Sequence, residues 1–275
     1  MNKISFITAN FVARELGYEL TEGWHQGNNA TNDYFRSIDT FPKRFDALLR
    51  EIKQMGFQSI DLWVSHLHWA WTTKEHTKIA NSLINKHRLR AASLVGNFGA
   101  TRLELEAACQ VANAMEVRLM VGSVPFLRIN RDEAVAILRD YNLEFAQLNQ
   151  KEDSADQLLK KIGYDNHDIL GIAIDTGWYQ ILQETLFEAI EELAPNLKLV
   201  QLKDVVSMEG NTTCVYEKGV IPVHRCVEKL QEIRFNGPIT VEHHPFDRNP
   251  SEECQHNFEL LKTWTMPQGQ RARGR

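Results

Sequence analysis

Apolar positions along the chain follow two alternating rhythms. Short β-branched and apolar runs recur at 3–9, 58–64, 89–96, 117–123, 142–148, 169–175, 197–203 and 238–243. Between them the spacing turns helical. Residues 43–55 bring Phe45, Leu48, Leu49, Ile52 and Met55 to one face, and residues 101–115 do the same with Leu103, Leu105, Ala108, Val111 and Ala112. Thr101 followed by Glu104 reads as a capping box opening the second of these helices. The stretches 155–162, 185–194, 222–234 and 251–264 repeat the helical pattern. Eight strands alternating with helices imply parallel strands joined by right-handed crossovers. That number favours a closed α/β barrel, the (β/α)8 TIM barrel, over an open doubly wound sheet. No G-x-G-x-x-G follows a strand, so the dinucleotide-binding fingerprint is missing.

No linker divides the chain. Residues 1–266 read as a single TIM-barrel domain and 267–275 as a disordered basic tail holding Arg271, Arg273 and Arg275. The longest irregular stretch is 10–36, which carries Gly17, Gly23, Gly27, Trp24 and His25. On a barrel this first βα loop lies at the catalytic mouth, as a lid or as an ordinary surface excursion.

Composition adds exclusions. The 275 residues are 43% hydrophobic and 24% charged, ordinary for a soluble globular protein. A formal net charge of −5 gives no electrostatic reason to expect a nucleic-acid partner. Cys109, Cys214, Cys226 and Cys254 form no C-x-x-C pair and read as reduced thiols. The N-terminus runs straight into a strand without a signal segment, and no apolar run approaches the ~20 residues that span a bilayer. The expectation is a cytoplasmic protein with no membrane partner.

The candidate chemistry sits at strand ends. Side chains alternate between the two faces of a strand. In the eighth run Ile239 and Val241 face the helices, so Thr240 and Glu242 face the barrel interior. In the sixth Ala173 and Asp175 face in; in the seventh Leu199, Gln201 and Lys203 share a face; in the fifth Phe145, Gln147 and Asn149 do. The catalytic end of a barrel is the C-terminal end of its strands, and there Gln147, Asp175, Gln201 and Glu242 converge. A buried unpaired carboxylate is costly, so Asp175 and Glu242 need partners. Either Lys203 bridges them, or the four oxygen-bearing side chains share a hard divalent cation.

The order Asp175-Thr176-Gly177, Leu202-Lys203-Asp204 and Val241-Glu242-His243-His244 resembles the sugar isomerase/epimerase superfamily with the xylose isomerase-like TIM barrel. The resemblance covers nearly the whole chain, including Gly56-Phe57 and Asp61 on the second strand. It implies a divalent metal held by Glu, Asp, His and Glu on strands five to eight, with the two glutamates as the acid/base pair. Carried over, the metal set is Gln147, Asp175, Gln201 and Glu242. Asp175 and Glu242 match the family pattern. Gln201 stands in place of the usual histidine, Gln147 falls nearest the strand-five glutamate, and Trp178 occupies a histidine position that contacts substrate. Glu144 replaces Gln147 only if the strand phase is shifted.

These departures have consequences. Glutamine offers a neutral oxygen, so the set carries two negative charges and prefers Mn or Mg over Zn, with weak or absent binding left open. Gln147 cannot take a proton, which breaks a two-glutamate relay and leaves Glu242 as a single base. Lys203, or a histidine among His66, His68, His243 and His244, is the candidate acid.

Trp69 and Trp178 are candidate aromatic platforms for a sugar, with His68, Asn97, Asn149 and His244 as further substrate contacts; Trp63, Trp71, Tyr179 and Asn10 lie nearby in the sequence. The loop 245–250 after strand eight is not glycine-rich, which favours an unphosphorylated substrate over a sugar phosphate. The leading reading is an isomerase or epimerase of a small carbohydrate or polyol. Its alternatives are a keto-polyol dehydratase of the same superfamily and a non-catalytic sugar-binding barrel. The family's endonuclease branch needs a His-rich zinc cluster and a basic surface, which this acidic chain lacks. Related barrels often pair, so a homo-oligomer is an option.

Overall fold

The computed structural model describes residues 4–150, 154–178, 183–207 and 212–265. Eight parallel strands form a closed barrel. Seven come in succession: β1 (Ile4–Ile7), β2 (Ser59–Trp63), β3 (Arg90–Asn97), β4 (Leu119–Ser123), β5 (Glu144–Leu148), β6 (Leu170–Asp175) and β7 (Leu197–Leu202). A short antiparallel pair follows, β8 (Asp204–Val205) with β9 (Thr213–Cys214), and β10 (Ile239–Val241) is the eighth staff of the barrel. Closure runs through β1, whose Phe6 lies opposite both Ile60 of β2 and Val241 of β10. The eight runs read from the sequence therefore correspond to the eight barrel strands.

Helices cover the outside: α1 (Trp24–Phe35), α2 (Phe41–Gln54), α3 (Lys74–Lys86), α4 (Arg102–Ala114), α5 (Pro125–Ile129), α6 (Arg131–Asp140), α7 (Ala155–Ile162), α8 (Gln183–Leu193), α9 (Val223–Glu232) and α10 (Ser251–Thr265). On α2, Phe45, Leu48, Leu49 and Ile52 are all buried, as the helical spacing predicts. The capping box of α4 is in place: the Glu104 N–H donates to Thr101 Oγ1 at 3.3 Å and the Thr101 N–H to Glu104 Oε2 at 3.0 Å. Leu103 departs from its expected place on the buried face and is 76% exposed. Leu103 and Leu105 lie two residues apart, nearly opposite each other around a helix, so only one can face the barrel.

The stretch 10–36 differs most from its irregular reading. After β1 the chain makes 3-10 turns at Thr8–Phe11 and Arg14–Leu16 and then the twelve-residue helix α1. Its glycines and asparagines are poor helix formers, so propensity hid it. Tertiary packing stabilises it by burying Gly27, Thr31 and Phe35 along one stripe. Gly27 lies so close to the preceding turn that a Cβ there would collide with the Val12 carbonyl oxygen and side chain. Gly27→Ala is therefore expected to destabilise the protein by about 1–3 kcal/mol, the usual cost of overpacking. Urea unfolding checks this; an unchanged midpoint would mean that α1 is not packed as described.

The barrel interior holds a polar layer. Asp61 of β2 is fully buried and accepts hydrogen bonds from Ser93 Oγ at 2.6 Å and Thr240 Oγ1 at 2.7 Å. Burial raises the Asp61 pKa above the ordinary range, and the hydroxyls only partly oppose it. A folded pKa above the unfolded value means that this contribution to stability is present at low pH and is lost as pH rises through the folded pKa. Asp61→Asn is thus expected to melt no lower than the parent at pH 8, with a smaller decline in Tm between pH 5 and pH 8. A variant that melts well below the parent at pH 8 would show that ionised Asp61 stabilises the barrel.

The expected tail at 267–275 and Tyr179 lie outside the described residues. Among the described residues no helix is long and apolar enough to cross a membrane.

Candidate active site

Asp175 ends β6, and in the register it lies beside Gln201 of β7, which in turn lies beside Thr240 of β10. The inward phase expected for these strands is the one observed. Thr240 faces Asp61 across the interior, and Glu242, two residues on, keeps the same side. Although Glu242 lies just past β10, its N–H still donates to Leu202 O at 3.0 Å, which prolongs the ladder by one residue.

Four side chains meet at the C-terminal end of the barrel. The Lys203 ammonium donates to Asp175 Oδ2 and, at 3.1 Å, to Glu242 Oε1. His244 Nε2 lies 3.2 Å from the same Glu242 oxygen. Asp175, Lys203, Glu242 and His244 are all buried, at 1%, 4%, 7% and 6% exposure. The ion pair with Lys203, one of the two partnerships that the sequence left open for the carboxylates, is formed in the structure.

The Asp175-Thr176-Gly177 segment serves Lys203 at each of its positions. Asp175 supplies the anion, with its other oxygen fixed by the Gly177 N–H at 2.9 Å. Thr176 Oγ1 donates to Lys203 O and accepts from the Lys203 N–H, both at 2.8 Å. Gly177 leaves room for the lysine stem, because a Cβ there would strike Lys203 Cε. Trp178 then places its ring 5.1 Å from the ammonium, within cation–π range.

The next strand end is organised by Asp204. It accepts from the N–H groups of Val205, Gly219 and Ile221 at 2.9–3.0 Å and so holds the two described ends of the 204–221 excursion together at the barrel. That excursion presents Thr213, whose Oγ1 accepts from the His244 N–H at 3.1 Å. The His244 ring lies between Trp24 of α1, at 5.1 Å, and Phe246, at 5.7 Å. Trp24 also packs on Trp63, at 5.5 Å. The first βα loop therefore covers part of the mouth through α1.

One ammonium serves two carboxylates, and this sets the titration. Burial and the Glu242 charge push Asp175 up to about 7, against Lys203. Burial also raises Glu242, but Lys203 and His244 outweigh it and hold that carboxyl at about 2. The pair therefore keeps one proton into the neutral range as a property of both groups together. Burial lowers the Lys203 pKa, but the two carboxylates more than compensate and keep it charged.

Other sequence candidates are placed elsewhere. Gln147 lies opposite Ile172, three positions before Asp175, and its amide donates to Leu148 O at 2.9 Å. Glu144 binds Lys198 at 2.6 Å and Arg118 at 3.6 Å at the opposite end of β5, so it is no substitute for Gln147. Asn149 is fully buried and hydrogen-bonds the Asp175 backbone on both sides, accepting at 2.7 Å and donating at 3.2 Å. It holds Asp175 in place rather than facing a ligand. Asn97 is exposed, with its side chain on the Gly99 N–H at 2.9 Å and its carbonyl on Trp69 Nε1 at 2.9 Å. His68 lines a cleft with Asn28, Asn32, Arg36 and Trp71, to which neither Asp175 nor Glu242 contributes.

The histidines separate clearly. His66 is buried against Phe35 and Thr8, and burial with nearby Arg14 drives its pKa to about 3, so it stays neutral and is no acid. His243 points outward to Glu253 at 2.7 Å. Asn10, expected to bind a hydroxyl, instead bridges Val241 O and the His243 N–H, at 3.0 and 2.9 Å. Thr176, Gly177, Thr213 and Trp24 were not singled out from the sequence as parts of this site. The Asp-Thr-Gly run was the available signal for the first two; nothing local marks the others.

The residues do not fit a divalent cation as they stand. A magnesium-sized ion needs near-octahedral oxygen ligation. Here both carboxylates converge on an ammonium, and Gln147 is turned to its own strand. Among the described residues no group of three or more His, Cys, Asp or Glu is placed to hold a metal ion.

Fold and site together define a TIM-barrel protein with a buried acid–lysine cluster at the C-terminal ends of its last strands. The family model of the xylose isomerase-like TIM barrel matches residues 12–264, and the chain belongs to that family. A comparison with curated proteins finds no match. Among solved structures the chain is similar to D-psicose 3-epimerase from Clostridium cellulolyticum, at 11% identity and a TM-score of 0.66, covering 94% of this chain and 98% of that one. It is similar to a sugar phosphate isomerase/epimerase from Parabacteroides distasonis, at 13% identity and TM-score 0.65, covering 95% and 93%. It is also similar to the probable 3-DHS dehydratase AsbF from Bacillus anthracis, at 14% and 0.65, covering 94% and 98%. Identities this low establish a shared fold.

Proposed function

We propose that this protein acts on a small carbohydrate or polyol by moving a proton at the carbon next to a carbonyl, as an isomerase or epimerase, with Glu242 as the base. One observation carries the reading. Glu242 Oε1 is held by Lys203 and His244, while among the described residues Oε2 is buried without a hydrogen-bond partner. A buried carboxylate oxygen with no donor is costly in a resting protein and useful in one that must accept a proton. Glu242 Oε2 takes the proton, the C–H electron pair forms a carbon–carbon double bond, and negative charge moves to the carbonyl oxygen. Lys203 supplies the compensating positive charge, and reprotonation completes the transfer. The solved structures of similar fold, named for epimerase, isomerase and dehydratase activities, support this substrate class.

A dehydratase reading is favoured by one specific feature. Gln147 is turned to Leu148 and cannot take a proton, and Glu144 is paired with Lys198, so β5 brings no second carboxylate base to this end of the barrel. A single base suffices for proton transfer along one face or for removal of a β-hydroxyl. Epimerisation through both faces needs a second acid.

The test is proton exchange in D2O over a panel of unphosphorylated ketoses, aldoses and keto-polyols, followed by NMR. Enzyme-dependent deuterium next to a carbonyl is the expected result. A product that keeps the substrate's composition apart from the exchanged deuterium then indicates isomerisation or epimerisation, and an ultraviolet-absorbing enone indicates dehydration. Saturable ligand binding with no exchange on any panel member would replace this reading with the non-catalytic sugar-binding barrel.

A further inference from the structure

We infer that Lys203 is itself the cation of this site: its ammonium holds the position between Asp175 and Glu242 that a divalent ion would need, and a divalent ion binds there only when the ammonium is removed. Position is the first ground. The ammonium touches one oxygen of each carboxylate, Asp175 Oδ2 and Glu242 Oε1, and so lies where a bridging ion would lie.

Construction is the second ground. The lysine is not a surface side chain that has folded inward; its backbone is clamped on both sides by Thr176 Oγ1, its stem runs through the space left by Gly177, and its head lies near the Trp178 ring. A long flexible side chain normally keeps its ammonium in water. Here four neighbouring features fix it in a buried position.

Donor supply is the third ground. Asp175 Oδ1 already accepts from the Gly177 N–H, and Gln147 is directed to Leu148 O. With the ammonium already neutralising the carboxylates, the oxygens left over carry too little charge to strip water from a hard cation. Gln201 stands beside Asp175 in the register, and among the described residues its buried Nε2 has no hydrogen-bond partner. A neutral amide adds no charge to hold a second cation next to an ammonium. A monovalent tethered charge can still stabilise a developing enolate oxygen, as an ammonium or a metal does in general.

This deepens the function proposed above and rests on it for what the cation does to a substrate. The binding test does not depend on turnover. Mn2+ is titrated into chelator-treated full-length parent, Lys203→Ala, Lys203→Met and Asp175→Asn, with free Mn2+ followed by its EPR signal. The expected result is no saturable Mn2+ binding by the parent and one saturable ion per chain once the ammonium is gone. If the lysine variants are too unstable to titrate, Mn2+ should raise their melting temperature and leave the parent's unchanged. A saturable ion in the parent that is lost in Asp175→Asn would overturn the inference. So would folded lysine variants that bind no more Mn2+ than the parent. Absence of proton exchange, by contrast, would count against the proposed reaction and leave these readings as they are.

Discussion

Lys203→Ala is expected to lose about 3–5 kcal/mol of stability at pH 8, the usual consequence of removing one partner from a buried ion pair. Asp175 and Glu242 are 1% and 7% exposed, and Lys203 is the only cation hydrogen-bonded to both among the described residues. Without it, two carboxylates face each other in a site closed to water. The cheapest escape is for one or both to bind a proton, so their folded pKa values rise above the unfolded ones. Groups raised in this way contribute stability at low pH and lose it as pH rises through the folded pKa. The defect should therefore be small near pH 4 and largest at pH 8. Urea unfolding of parent and variant at several pH values measures it. A loss below about 1 kcal/mol at pH 8 would mean that the pair is better hydrated than its burial indicates. Against a total of roughly 5–15 kcal/mol for a domain, the expected loss leaves a protein that folds with little margin.

Glu242→Gln is expected to behave in the opposite way. Turnover should fall by about 10²–10⁴, the usual contribution of a positioned general base. The fold should hold, because the substitution removes the carboxylate that Lys203 shares and leaves Asp175 with the whole ammonium. His244 Nε2 keeps an oxygen to meet in one orientation of the new amide. Kinetics on whichever substrate shows deuterium exchange, together with a melting curve, separate the two effects. A variant that melts like the parent and turns over at the parental rate would remove Glu242 from the chemistry. A variant that unfolds would make the residue structural. The contrast matters because these two residues touch each other, yet one substitution is expected to damage the fold and the other the reaction.

Much of this site was legible before the structure because alternation along a strand is a local property. Asp175, Gln201, Lys203 and Glu242 were assigned inward from the apolar residues on either side of them, and the barrel keeps that phase. The same reasoning failed where the chain leaves the ladder. His243 and His244 are adjacent and chemically identical, but one reaches Glu253 outside the barrel and the other Glu242 within it. Asn149 shares the parity of Gln147, yet it folds onto the Asp175 backbone rather than facing a ligand. Helix α1 is hidden in the sequence because its residues favour loops, while its packing against Val12 and its neighbours is a tertiary contribution.

The sequence by itself determined the eight-fold alternation, the closed barrel it implies, and the four side chains that point into its C-terminal end. These follow from periodicities of two and 3.6 residues, which operate over a few positions at a time. Only the tertiary structure decided which groups become partners. Lys203 reaches Asp175 across 28 residues of chain and Glu242 across 39, and Trp24 reaches His244 from the other side of the closure. Such pairings depend on the register of every strand around the ring and on where each loop returns, which no short window of sequence contains.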